Sequence, residues 1–286
     1  MKFKKRIAIL LGLIFIIIFF YYQNNYIVKT TFTIQSDELP ESFHNYKIVH
    51  LSDLHNKKFG SEQKYLLEKI VVEKPDLIVF TGDLIDSRRY NEKPSLTLIE
   101  QLVDLAPVYY VTGNHEWKSG KYEALEEKLK KLGVHILKNE TITITNGSDE
   151  IYITGLDDPT FSNENSESEI MEQFLTEVAR NFHPNQFHIL LSHRPELFPL
   201  YAEYRFDLVF SGHAHGGQFR LPFIGGLVAP NQGLFPKYTA VDHHIDQTTM
   251  IVSRGLGNSI IPVRIFNRLE IVVVTLQVNT KTFSRK

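Results

Sequence analysis

The apolar residues near the N-terminus form a continuous run. From Ile7 to Tyr22, sixteen consecutive residues carry neither a charge nor a strongly polar side chain. As a helix this run measures roughly 24 Å at about 1.5 Å per residue, somewhat less than a hydrocarbon core of about 30 Å. Tyr21, Tyr22 and Tyr26 at the outer end of the run, and lysines at its inner end whose side chains reach toward the headgroups, would close that gap. The pattern predicts an N-terminal transmembrane helix, with residues 1–28 as a membrane anchor.

Two other interpretations of this segment stay open. A cleaved signal peptide has the same basic start and apolar stretch, but it normally ends in small residues at a cleavage site. Here the run leads into Phe-Phe-Tyr-Tyr-Gln-Asn-Asn-Tyr. A helix buried within a soluble protein is the third interpretation. Because no Ala-x-Ala-like site follows the run, we favour an uncleaved anchor.

Basic residues are unevenly placed around the apolar run. Lys2, Lys4, Lys5 and Arg6 precede it, whereas Lys29 is the only basic residue in roughly the next fifteen positions. The positive-inside rule places such an N-terminus in the cytoplasm. We therefore expect a single-pass protein of the cell membrane whose remaining residues lie outside the cytoplasm.

After the anchor, short β-branched and aromatic runs alternate with helical patterns, which is typical of β-α-β units. Five runs are interpreted as buried strands: Ile48–Leu51, Leu77–Phe80, Val108–Val111, Phe187–Leu191 and Leu208–Phe210. One amphipathic helix is predicted from Tyr122 to the stop at Gly133, and another after the capping box of Ser166 and Glu169. The predicted fold class is α/β, in one domain over residues 29–286.

Composition limits the chemistry that this domain can carry. The 286 residues include no cysteine, so disulfides, cysteine-based zinc sites, iron–sulfur clusters and thiol nucleophiles are excluded. The formal charge of −2, from 31 basic and 33 acidic residues, argues against a dedicated nucleic-acid binder. Any metal site must therefore use nitrogen and oxygen ligands, for which twelve histidines are available.

Each of the five predicted strands runs directly into side chains that can bind a metal. They are Asp53 and His55, then Asp83, Asn114 and His115, then His193, and finally His213 and His215. Ligand sites in open α/β sheets form beyond the carboxyl ends of the strands, so these residues are expected to converge. Any one block alone is ordinary turn chemistry, but the five together predict a metal site. His213 and His215 are alternate residues of an extended segment and would point the same way.

The chain resembles the calcineurin-like metallophosphoesterase family in the order of five motifs. They are Asp53-Leu-His55, Gly82-Asp83-Leu-Ile-Asp86, Gly113-Asn114-His115-Glu116, His193 and Gly212-His213-Ala-His215. The segment Ser253-Arg-Gly-Leu-Gly257 further resembles the bacterial membrane-associated branch, which includes UDP-2,3-diacylglucosamine pyrophosphatase-like enzymes. The resemblance implies two stacked mixed β-sheets flanked by helices, a four-layer sandwich.

The resemblance also implies a dinuclear metal site. Seven residues would be ligands of two divalent ions: Asp53, His55 and His215 of one, Asn114, His193 and His213 of the other, and Asp83 of both. Two such ions about 3.5–4 Å apart can hold a hydroxide between them and clamp a phosphoryl group. Carboxylates, imidazoles and an amide oxygen suit manganese, iron or zinc. The sequence does not choose among these metals.

His115 and Asp86 are the predicted catalytic residues. His115 adjoins Asn114, so its side chain can reach the same cavity, where we expect it to protonate the leaving-group oxygen or stabilise its charge. Asp86 would accept a hydrogen bond from His115 and determine its tautomer; alternatively, Asp86 caps a helix or turn. Ser87 occupies the place of an arginine found in phosphoprotein phosphatases of the family, which weakens that interpretation.

Three functions remain open at this stage. The favoured one is a membrane-anchored phosphohydrolase that cleaves a phosphodiester or pyrophosphate bond, with a lipid-linked or envelope substrate as one option. The second is the same chemistry on soluble nucleotides or phosphomonoesters, and the third is a metal-binding envelope protein without turnover. Residues Phe219–Tyr238, which are rich in Gly, Pro and bulky apolar side chains, would receive an acyl or prenyl tail or else pack on their own sheet.

Overall fold

The structure is a computed structural model that describes residues 2–162, 166–180, 182, 185–258 and 260–279. Its helices are α1 (Lys2–Asn25), α2 (Lys64–Val71), α3 (Lys93–Val103), α4 (Asn114–Lys118), α5 (Tyr122–Lys131), α6 (Glu167–Ala179) and α7 (Phe198–Glu203). Its strands are β1 (Ile27–Ser36), β2 (Lys47–Leu51), β3 (Leu77–Thr81), β4 (Val108–Val111), β5 (His135–Ile136), β6 (Glu140–Asn146), β7 (Asp149–Gly155), β8 (His188–Leu191), β9 (Leu208–Ser211), β10 (Arg220–Leu221), β11 (Gly225–Gly226), β12 (Val228–Ala229), β13 (Gly233–Leu234), β14 (Val241–Ile245), β15 (Thr248–Val252) and β16 (Leu269–Val278). The last seven residues of the predicted domain, 280–286, lie outside the described residues.

Twelve of these strands form two mixed six-stranded sheets. The first has the order β1-β16-β2-β3-β4-β5, in which the β16–β2 pairing is antiparallel and the others are parallel. The second has the order β14-β15-β9-β8-β7-β6, with parallel pairs in the middle and antiparallel pairs at both edges. In register, Ile48 of β2 lies opposite Leu77 of β3, and Ile189 of β8 opposite Leu208 of β9.

Strand residues alternate between two apolar layers, because successive side chains point to opposite faces of a sheet. In β2, Ile48 packs between the sheets in one cluster with Ile189 and Phe210. Its neighbour Val49 packs on the other face, in the cluster that contains Leu98 of helix α3. Helices α6 and α7 cover the outer face of the second sheet. This arrangement confirms the predicted α/β fold with mixed sheets and flanking helices.

The predicted elements of the domain are present. Strands β2, β3, β4, β8 and β9 match the five predicted runs to within one residue at each end. Helix α5 begins at Tyr122 as expected. The capping box before α6 also forms, because Ser166 Oγ accepts the Glu169 N–H at 3.3 Å and the Glu169 carboxylate accepts the Ser166 N–H at 3.0 Å.

Helix α1 lies largely outside the packed layers. Its apolar side chains are exposed, with Ile9 at 64% and Phe15 at 69%. Near its end, Phe19 packs edge-on against Phe266, with ring centroids 5.6 Å apart, and the chain then enters β1 at Ile27. In the part of the chain that the structure describes, no helix is long and apolar enough to cross a membrane, and the predicted transmembrane span is therefore not found.

Candidate metal centre

The predicted metal ligands meet where strands of both sheets end. Strands β2, β3 and β4 of the first sheet lead into Asp53, His55, Asp83 and Asn114, and strands β8 and β9 of the second lead into His193, His213 and His215. All seven side chains are buried. Convergence at this edge follows from topology, because the parallel strands within each sheet run in one direction and the sheets are stacked.

Six of these residues form two groups that share one aspartate. The first group is Asp53, His55, Asp83 and His215, and the second is Asp83, His193 and His213; within each group, one possible ligand atom per residue lies within 4.8 Å of all the others. Asp83 Oδ2 is 3.5 Å from His55 Nε2 and 3.3 Å from His193 Nε2. One carboxylate therefore faces both groups.

Unsatisfied polar atoms in these groups fit bound cations. Among the described residues, the buried Asn114 Oδ1 has no hydrogen-bond partner. The Nε2 atoms of His55 and His215 are 3.1 Å apart, and His193 Nε2 is 3.1 Å from His213 Nδ1. A buried amide oxygen without a donor is costly, and facing imidazole nitrogens direct lone pairs toward one point unless a proton lies between them. One divalent cation in each group would accept these lone pairs.

Burial keeps three of the histidines in the neutral form that binds metals. It lowers the pKa of His55 to about 3. It also holds the pKa values of His213 and His215 well below the ordinary value, and the nearby Arg194 charge adds to the effect at His213. A neutral imidazole has a lone pair available for a cation.

The two aspartates differ in their electrostatic environment. Burial raises the pKa of Asp53 to about 7, and the neighbouring charge of Asp83 adds to this. Burial acts on Asp83 in the same direction, but the positive charge of His193 and its hydrogen bond to the carboxylate overcome it and hold the Asp83 pKa well below its usual range. For His193, burial is outweighed by the Asp83 charge, which raises the pKa to about 10. Two buried carboxylates this close together favour a compensating positive charge.

The backbone at the site is held in an uncommon conformation. Asp53 and Asp83 have φ of 52° and 53°, and His213 has φ of 65°. Such left-handed conformations cost of order 1–3 kcal/mol for a residue with a side chain and tend to cluster at functional sites. A Cβ added at Gly82 would lie 2.6 Å from the backbone nitrogen of Gly113, so the loops after β3 and β4 pass too close for a side chain.

Glu116 supports the loops that carry the site. Its carboxylate accepts backbone N–H groups from Asp83 at 2.8 Å, Gly113 at 2.7 Å and Ile85 at 3.2 Å. Burial and the Asp83 charge raise its pKa to about 8, against the N–H donors that favour the ionised form. Sequence reasoning assigned no role to Glu116, although its position three residues after Gly113 is the spacing of a capping box.

The predicted hydrogen bond between Asp86 and His115 does not form. Asp86 Oδ1 lies 3.8 Å from His115 Nδ1, because the Asp86 carboxylate binds the Arg89 guanidinium at 2.6 and 3.0 Å and caps the Arg88 N–H at 2.9 Å. The Ser87 N–H instead lies 3.0 Å from His115 Nδ1. The alternative role of Asp86, a turn cap, is the one that its contacts fit.

Two buried arginines, which sequence reasoning did not assign, lie beside the ligand histidines. Arg194 forms a bidentate ion pair with Asp158 at 2.6 and 3.0 Å, and its Nη1 is 3.4 Å from His213 Nε2. Arg264 Nη2 lies 3.2 Å from His215 Nδ1 and donates to the Gly257 carbonyl at 2.6 Å. The signal for Arg194 is its position directly after His193, but Arg264 has no comparable signal.

A cavity of about 350 Å³ opens onto the site. Asp83, Asn114, His115, His213 and His215 all line it. His115, which lies outside both groups of candidate ligands, is therefore open to a molecule that approaches them. The geometry suits a reaction on a small anionic group that binds to two cations, with a nitrogen base or donor beside it.

Comparisons with known proteins agree with this site. The sequence profile of the calcineurin-like phosphoesterase family matches residues 46–217. The chain is 31% identical over 259 residues to the uncharacterised metallophosphoesterase YkuE of Bacillus subtilis, covering 88% of this chain and 86% of that protein. It is 26% identical over 236 residues to the phosphodiesterase YaeI of Escherichia coli, covering 81% and 82% of the two chains.

A solved structure, the phosphopantetheinyl hydrolase PptH of Mycobacterium tuberculosis, aligns with a TM-score of 0.48 at 14% identity, covering 73% of this chain and 89% of that one. The family match extends over more than half of the chain and includes all five strand ends that carry the site. This chain belongs to the calcineurin-like metallophosphoesterase family and is a metal-dependent phosphoesterase.

Proposed function

We propose that this protein is a membrane-anchored phosphohydrolase with a dinuclear metal site that cleaves a phosphodiester or pyrophosphate bond. The observation that carries the proposal is Asp83, whose Oδ2 atom lies within 3.5 Å of a histidine nitrogen from each ligand group. Asp53, His55 and His215 would hold one ion, and Asn114, His193 and His213 the other. When bound, the two cations supply Lewis-acid activation of water and of the phosphoryl group.

His115 is the proposed donor to the leaving group. The Ser87 N–H contacts its Nδ1 at 3.0 Å, so Nδ1 acts as an acceptor and the ring proton of a neutral His115 resides on Nε2. Hydrolysis adds water to phosphorus and breaks the bond to the leaving oxygen, which then needs a proton or a hydrogen bond. The Nε2–H group of His115 supplies it, a contribution commonly worth about 10²–10⁴ in rate.

Membrane attachment through α1 is the second part of the proposal. Four basic residues precede the apolar run, and most apolar side chains of the helix are exposed, apart from Phe19, which packs against Phe266. We place the N-terminus in the cytoplasm and the domain outside it. At that surface a lipid-linked or envelope phosphodiester or pyrophosphate is within reach, which is the substrate type of the membrane-associated branch that the sequence resembles.

Hydrolysis assays test the catalytic part of the proposal. The full-length protein in detergent with Mn²⁺ is offered p-nitrophenyl phosphate, bis-p-nitrophenyl phosphate and a nucleotide-sugar pyrophosphate. We expect turnover of the diester or the pyrophosphate, and the His115→Ala variant should keep two bound Mn²⁺ while losing most of that turnover. Exclusive hydrolysis of the monoester would favour the alternative phosphomonoesterase function, and no hydrolysis at all would favour a non-catalytic metal-binding protein.

Topology is tested separately. A reporter active only outside the cytoplasm is fused at the C-terminus, and the same fusion is made to a variant in which Lys2, Lys4, Lys5 and Arg6 are replaced by Gln. We expect reporter activity for the first fusion and a reduced signal for the second, because the orientation depends on these charges. An unmodified fusion that is produced but shows no reporter activity would refute the orientation.

A further inference from the structure

The cavity above the candidate metal centre has two chemically different walls. Arg88 and Lys118 form one of them, and neither side chain makes an ion pair with a carboxylate in the described part of the chain. The other part of the lining is apolar, and its residues are Val228, Ala229, Pro230, Ile260 and Ile261. None of the residues in these two walls is a candidate metal ligand.

The cationic wall stands next to the reacting centre because of local chain geometry. Lys118 follows Asn114 by four residues on helix α4, and residues at that spacing lie on one face of a helix. Arg88 follows Ser87, whose N–H contacts His115. The next residue, Arg89, forms an ion pair with Asp86. Two exposed cations therefore line the same cavity as the proposed catalytic histidine.

The apolar wall is fixed by hydrogen bonds to the segment that follows His215. The buried Gln218 side chain donates to the carbonyls of Ile261 at 2.8 Å and Val263 at 2.7 Å. The Leu227 N–H donates to the carbonyl of Gly217 at 3.1 Å, which holds the following strand β12 in place. Although Ile260 is 65% exposed, the backbone beneath it is tied to the site. This wall is a built surface that removes an apolar group from water.

The net charge of a substrate distinguishes the phosphate esters that this cavity can recognise. A phosphodiester carries one negative charge, and the two metal ions would compensate it without any cationic side chain. A diphosphate diester carries two, and its second phosphate would need a cationic partner beyond the metals. Arg88 and Lys118 offer that partner, since guanidinium and ammonium groups are the usual protein partners of phosphate.

We infer that the cavity selects a diphosphate diester with an apolar substituent: one phosphate at the metal centre, the second at Arg88 and Lys118, and the substituent along Val228–Pro230 and Ile260–Ile261. This inference rests on the proposed function. It deepens that function by naming the residues that distinguish a diphosphate from a simple phosphodiester and an amphiphile from a polar ester.

Binding measurements test the inference without requiring turnover. Calorimetry on full-length, Mn²⁺-loaded His115→Ala protein in detergent compares dibutyl phosphate, P1,P2-dibutyl diphosphate and P1,P2-dioctyl diphosphate, with the metal content measured after each titration. We expect the dibutyl diphosphate to bind at least about tenfold more tightly than the dibutyl phosphate. The Arg88→Gln/Lys118→Gln double variant should reduce that ratio to about two, whereas Lys121→Gln, which removes a lysine outside the cavity, should leave it unchanged.

Chain length tests the apolar wall. A fully buried methylene contributes roughly fourfold in affinity, so four extra methylenes on a partly exposed wall should tighten binding at least about tenfold from butyl to octyl. Ile261→Ser should lower this gain severalfold, and Val72→Ser, at an exposed apolar position outside the cavity, should not.

The inference is overturned if the diphosphate preference or the chain-length gain is the same in the cavity variants as in their controls. Failure of the proposed function is a different result, because the wild-type protein would then hydrolyse no phosphoester whatever these affinities are.

Discussion

The last turn of α1 is joined to the metal centre through a single asparagine. Asn24 Oδ1 accepts the Arg264 N–H at 2.8 Å, and Asn24 Nδ2 donates to the Arg264 carbonyl at 3.3 Å. The Arg264 guanidinium, which is fully buried, lies 3.2 Å from the candidate ligand His215. Asn24→Ala removes both bonds, so we expect it to weaken cation binding in the group that contains His215.

The size of this effect follows from the bonds that are lost. A partly buried hydrogen bond contributes about 1 kcal/mol net, so two of them contribute about 2 kcal/mol, or roughly 30-fold in a dissociation constant if the whole effect reaches the site. Replacing residues that orient metal ligands typically costs 10–100-fold in affinity. We therefore expect Asn24→Ala to lower Mn²⁺ affinity at one of two sites by about 3- to 30-fold.

The adjacent residue provides a matched control. Asn25 Nδ2 donates to the Tyr21 carbonyl at 2.9 Å, an exposed contact within the helix, so Asn25→Ala should leave Mn²⁺ affinity unchanged. Titration calorimetry of both variants in detergent, with wild-type protein, measures the difference. Equal affinities for the two variants would refute the coupling between α1 and the site. A fragment that begins after Asn25 lacks this contact, and we expect it to bind Mn²⁺ as weakly as Asn24→Ala does.

Three further predictions concern the metal centre and the stability of the fold. Asp83→Ala should reduce bound Mn²⁺ from two ions toward none, as measured by atomic emission, and retention of two would contradict a shared ligand. Glu116→Gln places an amide N–H against the N–H of Ile85, so the free energy of unfolding measured in urea should fall by about 1–3 kcal/mol. An unchanged free energy of unfolding would show that the loops after β3 and β4 do not depend on this carboxylate. Burial raises the pKa of Asp207 from 3.8 to about 7, so the folded state holds a proton that the unfolded state releases. Wild-type stability should therefore fall between pH 4 and 7 by at most about 1.4 kcal/mol per pH unit. Asp207→Asn should flatten that slope, and parallel pH profiles would exclude Asp207 as its source.

The convergence of the candidate ligands could be predicted because each of its parts is a local pattern. A short run such as Leu77–Thr81 is buried on both faces and so is apolar throughout. The polar residue that follows it, here Asp83, must then stand at the end of a strand. In a parallel sheet such ends share one edge, so the order of five runs already indicates which side chains converge.

Pairings beyond the strand ends depended on the folded loops. Asp86 was expected to bind His115, but the guanidinium of Arg89 donates two hydrogen bonds to Asp86 Oδ2, and such charge-assisted pairs are stronger than a single bond to an imidazole. The role of Glu116 rests on amides 31 and 33 residues away, and the contact of Arg264 with His215 spans 49 residues. No spacing in the sequence encodes contacts at such separations.

The N-terminal segment and the cavity also separate what neighbouring residues determine from what only the folded chain determines. By itself, the sequence determined an apolar N-terminal run, five buried strands and the candidate metal ligands at their ends, because apolar periodicity and strand termination are properties of neighbouring residues. Only the tertiary structure decided that Asn24 reaches Arg264 and that Arg88 and Ile261 line one cavity. Those contacts exist because two sheets stack and bring distant loops together, and their geometry is set by packing across the sheets.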